Sequence, residues 1–121
     1  MARALAIVDR RLGERCCDLS ARPSRALADA RQIAADFDIL ANPIRLQLLD
    51  VLGRNEGRVC VCDLEAAVPV KQPTVSHHLR LLRDAGLVES EKVGQWVYYR
   101  LRRPVLRDLR ARLEDVLGSL T

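Results

Sequence analysis

The sequence predicts a mainly α-helical chain with a single β-hairpin, arranged as a winged helix-turn-helix and dimerised through its N- and C-terminal helices. Three stretches carry that expectation. An amphipathic segment over residues 71–88 crowds hydrogen-bonding side chains at its start, two strand-like runs follow it directly, and apolar seams with helical spacing lie toward both ends of the chain. A helix followed at once by a hairpin is the order a winged helix requires.

Residues 1–22 show no sustained periodicity and are expected to form a partly mobile arm, leaving residues 23–121 as one domain. From about Ser24, the residues Ala30, Ile33, Phe37 and Leu40 recur at steps of three and four, the signature of an amphipathic helix. Asn42 is placed to cap a second helix with Pro43 in its first position, where a missing N–H costs nothing. Ile44, Leu48, Val51 and Leu52 would line its inner face, and Gly53 closes it. A short helix is expected over Val61 to Ala67.

The segment KQPTVSHHLRLLRDAGLV, Lys71 to Val88, then places Val75, Leu79 and Leu82 on one face, with Pro73 marking the start and Gly86 the stop. Gln72, Thr74, Ser76, His77 and Arg80 spread over the remaining surface. Such side chains reach base edges and phosphates when a helix enters the major groove by its N-terminus. His77 is expected to project outward and His78 to lie nearer the packed edge.

Leu87 to Lys92 reads as a strand, Val93-Gly94-Gln95 as a turn, and Trp96 to Leu101 as a second strand. Alternation puts Val97, Tyr99 and Leu101 toward the core and Trp96, Tyr98 and Arg100 on the other face. Arg100, and Lys92 across the turn, are candidate phosphate contacts. Pro104 opens a last helix on which Leu106, Leu109, Leu113, Val116 and Leu120 form a narrow seam suited to another helix. Pairing of the terminal helices with those of a second copy predicts a homodimer, and a two-fold dimer predicts a palindromic operator.

Composition bounds the function. The chain has 121 residues, 49% hydrophobic but only 3% aromatic, so an aliphatic, chiefly helical core is expected. A net charge of +4 favours a polyanionic partner. No run approaches the length of a membrane-spanning helix, and the apolar stretch before Asp9 and Arg10 is too short for a secretory signal. A cytoplasmic protein with no membrane partner and reduced thiols is the expectation.

Four cysteines carry a second chemistry. Cys60 and Cys62 flank a single valine, and Cys16 and Cys17 are adjacent in the arm. Residues two apart share a side in extended chain, so if Cys60 precedes the short helix both sulfurs can converge on one ion. A helix N-terminus is expected to lower a thiol pKa and favour the metal-binding thiolate. An all-sulfur set selects soft, thiophilic ions. The packing role open to a buried cysteine fits Cys60 or Cys62 better than it fits the arm pair. Structural zinc is a further possibility, although the usual two-residue gap between paired cysteines is missing. Cys16 and Arg22 stand at a Cys-x5-Arg spacing, but no glycine there lets backbone amides curl around an oxyanion, so catalysis is not expected.

The run from Leu40 to Leu101 resembles the ArsR/SmtB family of metal- and metalloid-responsive winged-helix repressors. The resemblance rests on Asn42-Pro43-Ile44-Arg45-Leu46, Val59-Cys60-Val61-Cys62-Asp63-Leu64, the QPTVSHHL segment and Gly94-Gln95-Trp96-Val97-Tyr98-Tyr99-Arg100-Leu101, together about half the chain. It implies a homodimer, with no constitutive cofactor, that binds its operator when ion-free and releases it when the ion binds. The Cys-Val-Cys is similar to the sensing motif of the family's arsenic, antimony, cadmium and lead responders.

Two departures bear on the inducer. The third cysteine often found three residues after Cys62 is Glu65 here, so Cys16 or Cys17 is the natural donor to complete a three-sulfur site. In family members with arm cysteines these act against the partner subunit's helix, which implies an intersubunit site. Positions 105–121 contain no His, so a zinc or nickel sensor of the type built on the last helix is not expected. The expected inducer is As(III) or Sb(III), with Cd(II) or Pb(II) as the alternative because four thiols exceed the three a trivalent arsenic needs. A thiol-based redox repressor of the same fold is the other alternative.

Overall fold

The computed structural model describes residues 22–121. The elements run α1 (Leu27–Leu40), α2 (Pro43–Gly53), β1 (Val59–Cys60), α3 (Val61–Ala67), α4 (Gln72–Asp84), β2 (Val88–Val93), β3 (Trp96–Leu101) and α5 (Arg103–Ser119). The helix α3 has the bounds its sequence suggests. The arm lies outside the described residues, apart from Arg22.

Local chemistry accounts for most of the boundaries. The Asn42 side chain accepts from the N–H groups of Ile44 at 2.9 Å and Arg45 at 3.1 Å, satisfying two donors that the first turn of α2 would otherwise leave open. Asn42→Ala is therefore expected to lower unfolding stability by about 1 kcal/mol, read as a shift of the denaturant midpoint at unchanged slope. The end of α4 is a Schellman turn. Gly86 sits at φ 82°, its N–H bonds the Arg83 carbonyl at 2.9 Å, and the Leu87 N–H reaches back to Leu82 at 3.0 Å. Leu82 and Leu87 are both buried, which adds the apolar contact that accompanies this motif.

The three strands form an antiparallel sheet in the order β1-β3-β2. Val93 pairs with Trp96, so the hairpin turn is Gly94-Gln95 alone, one residue shorter than the sequence suggests, with φ 62° at Gly94. A positive φ at the first central residue matches the right-handed twist of the flanking strands. The strand β1 was not anticipated. Its two residues pair with the far side of β3, Val59 opposite Tyr99 and Cys60 opposite Tyr98.

The core gathers Leu48 and Leu52 of α2, Val59, Leu64, Val68, Val75, Leu79 and Leu82 of α4, then Leu87, Val88, Tyr99 and Leu109 of α5. Every apolar residue assigned to the inner faces of α4 and β3 is buried or half-buried. The terminal helices behave differently. They pack on each other, joined by a fork in which Arg112 Nε and Nη2 donate to the Asp36 carboxylate at 2.9 and 3.2 Å. Around that pair Phe37, Leu117 and Leu120 remain 39%, 54% and 74% exposed. An apolar cleft of about 290 Å³ lies between Leu40, Leu106, Leu109, Leu113 and Leu117. Among the described residues no helix is long and apolar enough to cross a membrane.

Candidate functional site

Two sites meet on this scaffold. The first is the exposed surface of α4. Val75, His78, Leu79 and Leu82 are its buried residues, which fixes the opposite face outward. Gln72, Thr74, His77 and Arg80 are exposed and Ser76 is half-buried. The first turn holds no acidic residue, and Lys71 occupies the N-cap position without capping through its side chain. Pro73 has no N–H and the Thr74 N–H already donates to the Lys71 carbonyl at 3.0 Å, so it is the positive end of the helix dipole, beside the Lys71 side chain, that suits an anion here.

The hairpin divides the two basic residues assigned to it. Lys92 pairs with Val97 and so shares the face of Val97 and Tyr99, whereas Arg100 pairs with Glu89 on the opposite face. The structure does not bring Lys92 and Arg100 together. Arg100 Nε donates to the Glu89 carboxylate. A second cation on that outer face is Arg58, which lies 4.3 Å above the Tyr98 ring and pairs with Glu91 at 3.2 Å. Arg58 escaped sequence reading because its place depends on β1, a strand with no local signature.

Arg45 was also missed. Its guanidinium donates to the carbonyls of Ile39 at 2.8 Å and Asp38 at 2.9 Å, and it lies 3.4 Å from His78 Nδ1. No local pattern marks such a residue, since its partners come from α1 and α4. Burial first, then the charge of Arg45 and of His77, pushes the His78 pKa below the ordinary imidazole value. A depressed imidazole pKa contributes stability that is complete above about pH 6.5 and is lost as pH falls through the folded value. Wild-type stability is thus expected to drop between pH 7 and 5.5 by more than that of His78→Leu, compared by thermal unfolding at the two pH values.

The second site is the cysteine pair. Cys60 ends β1 and occupies the N-cap position of α3, where its extended backbone (φ −65°, ψ 141°) turns both sulfurs to one side. The two Sγ atoms are 2.8 Å apart, Cys60 half-buried and Cys62 exposed, and both thiols are free. The convergence expected if Cys60 lies just before the short helix is present, with Cys62 in the first turn of α3. At Cys62 the expected lowering of the thiol pKa is not. The hydrogen bond to Cys60 raises the Cys62 pKa, with desolvation and the charges of Cys60 and Asp63 adding to it. The hydrogen bond that holds the Cys62 proton against Cys60 outweighs the attraction of the first turn of α3 for a thiolate. A soft ion taking Cys62 as a ligand would have to displace that proton.

Among the described residues no cluster of three or more His, Cys, Asp or Glu side chains could hold a metal ion. The described site therefore offers two sulfurs. The two other cysteines assigned to it, Cys16 and Cys17, lie outside the described residues.

The architecture is that of a winged helix-turn-helix, with α3 and α4 as the paired helices and β2-β3 as the wing. Residues 42–90 match the family described as bacterial regulatory protein, arsR family. The arsenic resistance transcriptional regulator ArsR1 of Pseudomonas putida is 41% identical over 83 residues, which cover 69% of this chain and 64% of that protein. Among solved structures, the AntR antimony-specific transcriptional repressor is 34% identical with a TM-score of 0.60, over 86% of this chain and 97% of that one. The homodimeric winged helix-turn-helix DNA-binding domain from Mycobacterium bovis is 31% identical with a TM-score of 0.58, over 84% and 91% of the two chains. The chain belongs to the ArsR family. It spans 55% to 64% of the length of several curated relatives that it matches.

Proposed function

We propose that the protein is a homodimeric transcriptional repressor that holds a palindromic operator through α4 and the wing, and releases it when trivalent arsenic or antimony is bound by Cys60, Cys62 and a thiol of Cys16 or Cys17. The observation that carries this reading is the pair of free sulfurs 2.8 Å apart at the junction of β1 with α3. The relatives named for arsenic resistance and antimony specificity support the ion class. The exposed apolar residues of α1 and α5 support pairing of two copies through those helices.

The donor set fits the ion. Two adjacent soft thiols suit a thiophilic metalloid far better than a hard cation, and a third sulfur would complete a three-thiolate shell. What the ion supplies is a set of sulfur bonds joining the pair to a further thiol. The chain's own part is to convert that tether into a movement. β1 is only two residues long, and Cys60 lies opposite Tyr98 of the wing strand. From Tyr98 the contact continues to Arg58 and Glu91, while α3 is anchored in the core by Leu64. A pull on Cys60 therefore reaches both the wing and the helix that precedes α4.

Release is a coupling free energy between two sites. A coupling of about 3 kcal/mol weakens operator binding roughly 150-fold, and reciprocity requires operator DNA to weaken ion binding by the same factor. Cadmium or lead is the alternative, favoured by a sequence with four thiols. A gel shift on a palindromic promoter fragment, titrated separately with arsenite, antimonite, cadmium, lead and zinc, decides between them. Arsenite or antimonite releasing the fragment at the lowest concentration is expected, and release by zinc alone contradicts the reading.

Arg80→Ala is expected to weaken operator binding at every ion concentration and leave the ion response intact. Measured over a salt series, a change confined to phosphate contact lowers the salt slope by about 1.

A further inference from the structure

We infer that Arg45 is a positioning residue for DNA reading, fixing the pitch of α4 against the corner between α1 and α2 by acting through His78. The inference rests on the reading of α4 as the DNA-reading helix. Three elements meet on one guanidinium: Arg45 belongs to α2, its Nε and Nη2 hold the carbonyls of Ile39 and Asp38 at the end of α1, and Nη1 faces His78 of α4. Those carbonyls lie in the last turn of α1, where helical acceptors run short of intrahelical donors; the Asp38 carbonyl also accepts from the Ala41 N–H at 3.0 Å, so Arg45 takes its second lone pair. With two nitrogens of a planar fork occupied on α1, the third nitrogen is left with little freedom, so its direction specifies where the His78 ring can sit.

The chemistry of His78 agrees. A guanidinium only donates, so Nδ1 must accept, and the single proton of the neutral ring resides on Nε2. The companions of His78 on the buried side of α4 are Val75, Leu79 and Leu82, and an aliphatic residue would satisfy packing alone. A polar residue at that position adds a direction, because a hydrogen bond defines a rotation about the helix axis that apolar contact leaves soft. Ser76, His77 and Arg80 flank His78 within one turn of helix, so that rotation aims them. Reading side chains tolerate an error of only about 10–20° before their geometry is lost. The same fork ties α4 to α1, the helix that leaves Phe37 partly exposed, and so couples the aim of the reading helix to the proposed dimer face.

The experiment compares wild type, His78→Leu, His78→Asn and Arg45→Lys for affinity to the operator fragment at one fixed salt concentration, with thermal unfolding and sedimentation recorded for each. In His78→Asn the amide oxygen takes the place of Nδ1 and can accept from Arg45. Affinity within about threefold of wild type is expected. His78→Leu fills the core but offers no acceptor, and is expected to stay folded and dimeric while binding about tenfold more weakly. Arg45→Lys keeps the charge, loses the fork, and should follow His78→Leu. Wild-type affinity in His78→Leu, or equal loss in the leucine and asparagine variants, overturns the inference. A wild-type chain that fails to bind the fragment overturns the reading of α4 itself, and the inference with it.

Discussion

Cys60→Ser is expected to bind operator DNA within about twofold of wild type in ion-free buffer and to lose its response to arsenite, so that a release of up to roughly 150-fold falls to about none. The separation follows from where the sulfur sits. Cys60 occupies the N-cap position of α3 and makes no side-chain capping bond there. Serine is among the preferred residues at such a position and nearly the same size, so the substitution leaves the β1–α3 junction intact and can even supply a cap. Only the soft donor is lost. A hydroxyl holds its proton far more tightly than a thiol and is a poor ligand for a thiophilic ion. Fluorescence anisotropy of a labelled operator, with and without arsenite, reads both quantities on one sample. Loss of DNA binding in ion-free buffer would instead make Cys60 a structural residue.

Arg112→Ala is expected to cost about 2–3 kcal/mol of stability and to weaken dimerisation. The Asp36 side chain is 9% exposed and bonded in a fork to Arg112, whose own side chain is 47% exposed. Removing the guanidinium strands a buried carboxylate with only Gln32, at 3.5 Å, for company. Water reaching the Arg112 side keeps the loss below that of a fully buried pair. Donating to the Asp36 carboxylate also raises the guanidinium pKa above its already high ordinary value, which favours its charged form. Because α1 and α5 carry the exposed Leu27, Phe37 and Leu117, loosening their junction disturbs the face two copies would share. Urea unfolding gives the stability loss, and sedimentation over a concentration series gives the dimer loss. A variant as stable and as dimeric as wild type would show the fork to be incidental.

What the sequence disclosed, and what it hid, divide by range. The cap at Asn42, the bounds of α3, the stop at Gly86 and the alternation of β3 are local signals, written within four or five consecutive residues. The caps and helices among them hold because each satisfies its own backbone groups, and β3 holds through pairing with β2, its neighbour in sequence. The strand β1 has two residues and exists only through Tyr98 and Tyr99, far along the chain. No periodicity can announce it. Arg45 with His78 and Arg112 with Asp36 are likewise contacts across 33 and 76 positions. Among the site residues, the closeness of Cys60 and Cys62 was legible from their spacing together with the expected start of α3 at Val61, which leaves Cys60 extended just before the helix and Cys62 in its first turn. The direction of the Cys62 pKa was not. It depends on a sulfur–sulfur distance, and at 2.8 Å the hydrogen bond to Cys60 holds the proton more firmly than the helix terminus draws it off.

The central claim is that sulfur ligation and operator binding exclude one another. The most direct measurement is the dissociation constant of the wild-type protein for its promoter fragment, at one salt concentration with all thiols verified reduced, in plain buffer and again in saturating arsenite. An increase of tens to about 150-fold is predicted. An unchanged constant, with arsenite shown by thiol titration to occupy Cys60 and Cys62, would contradict the account.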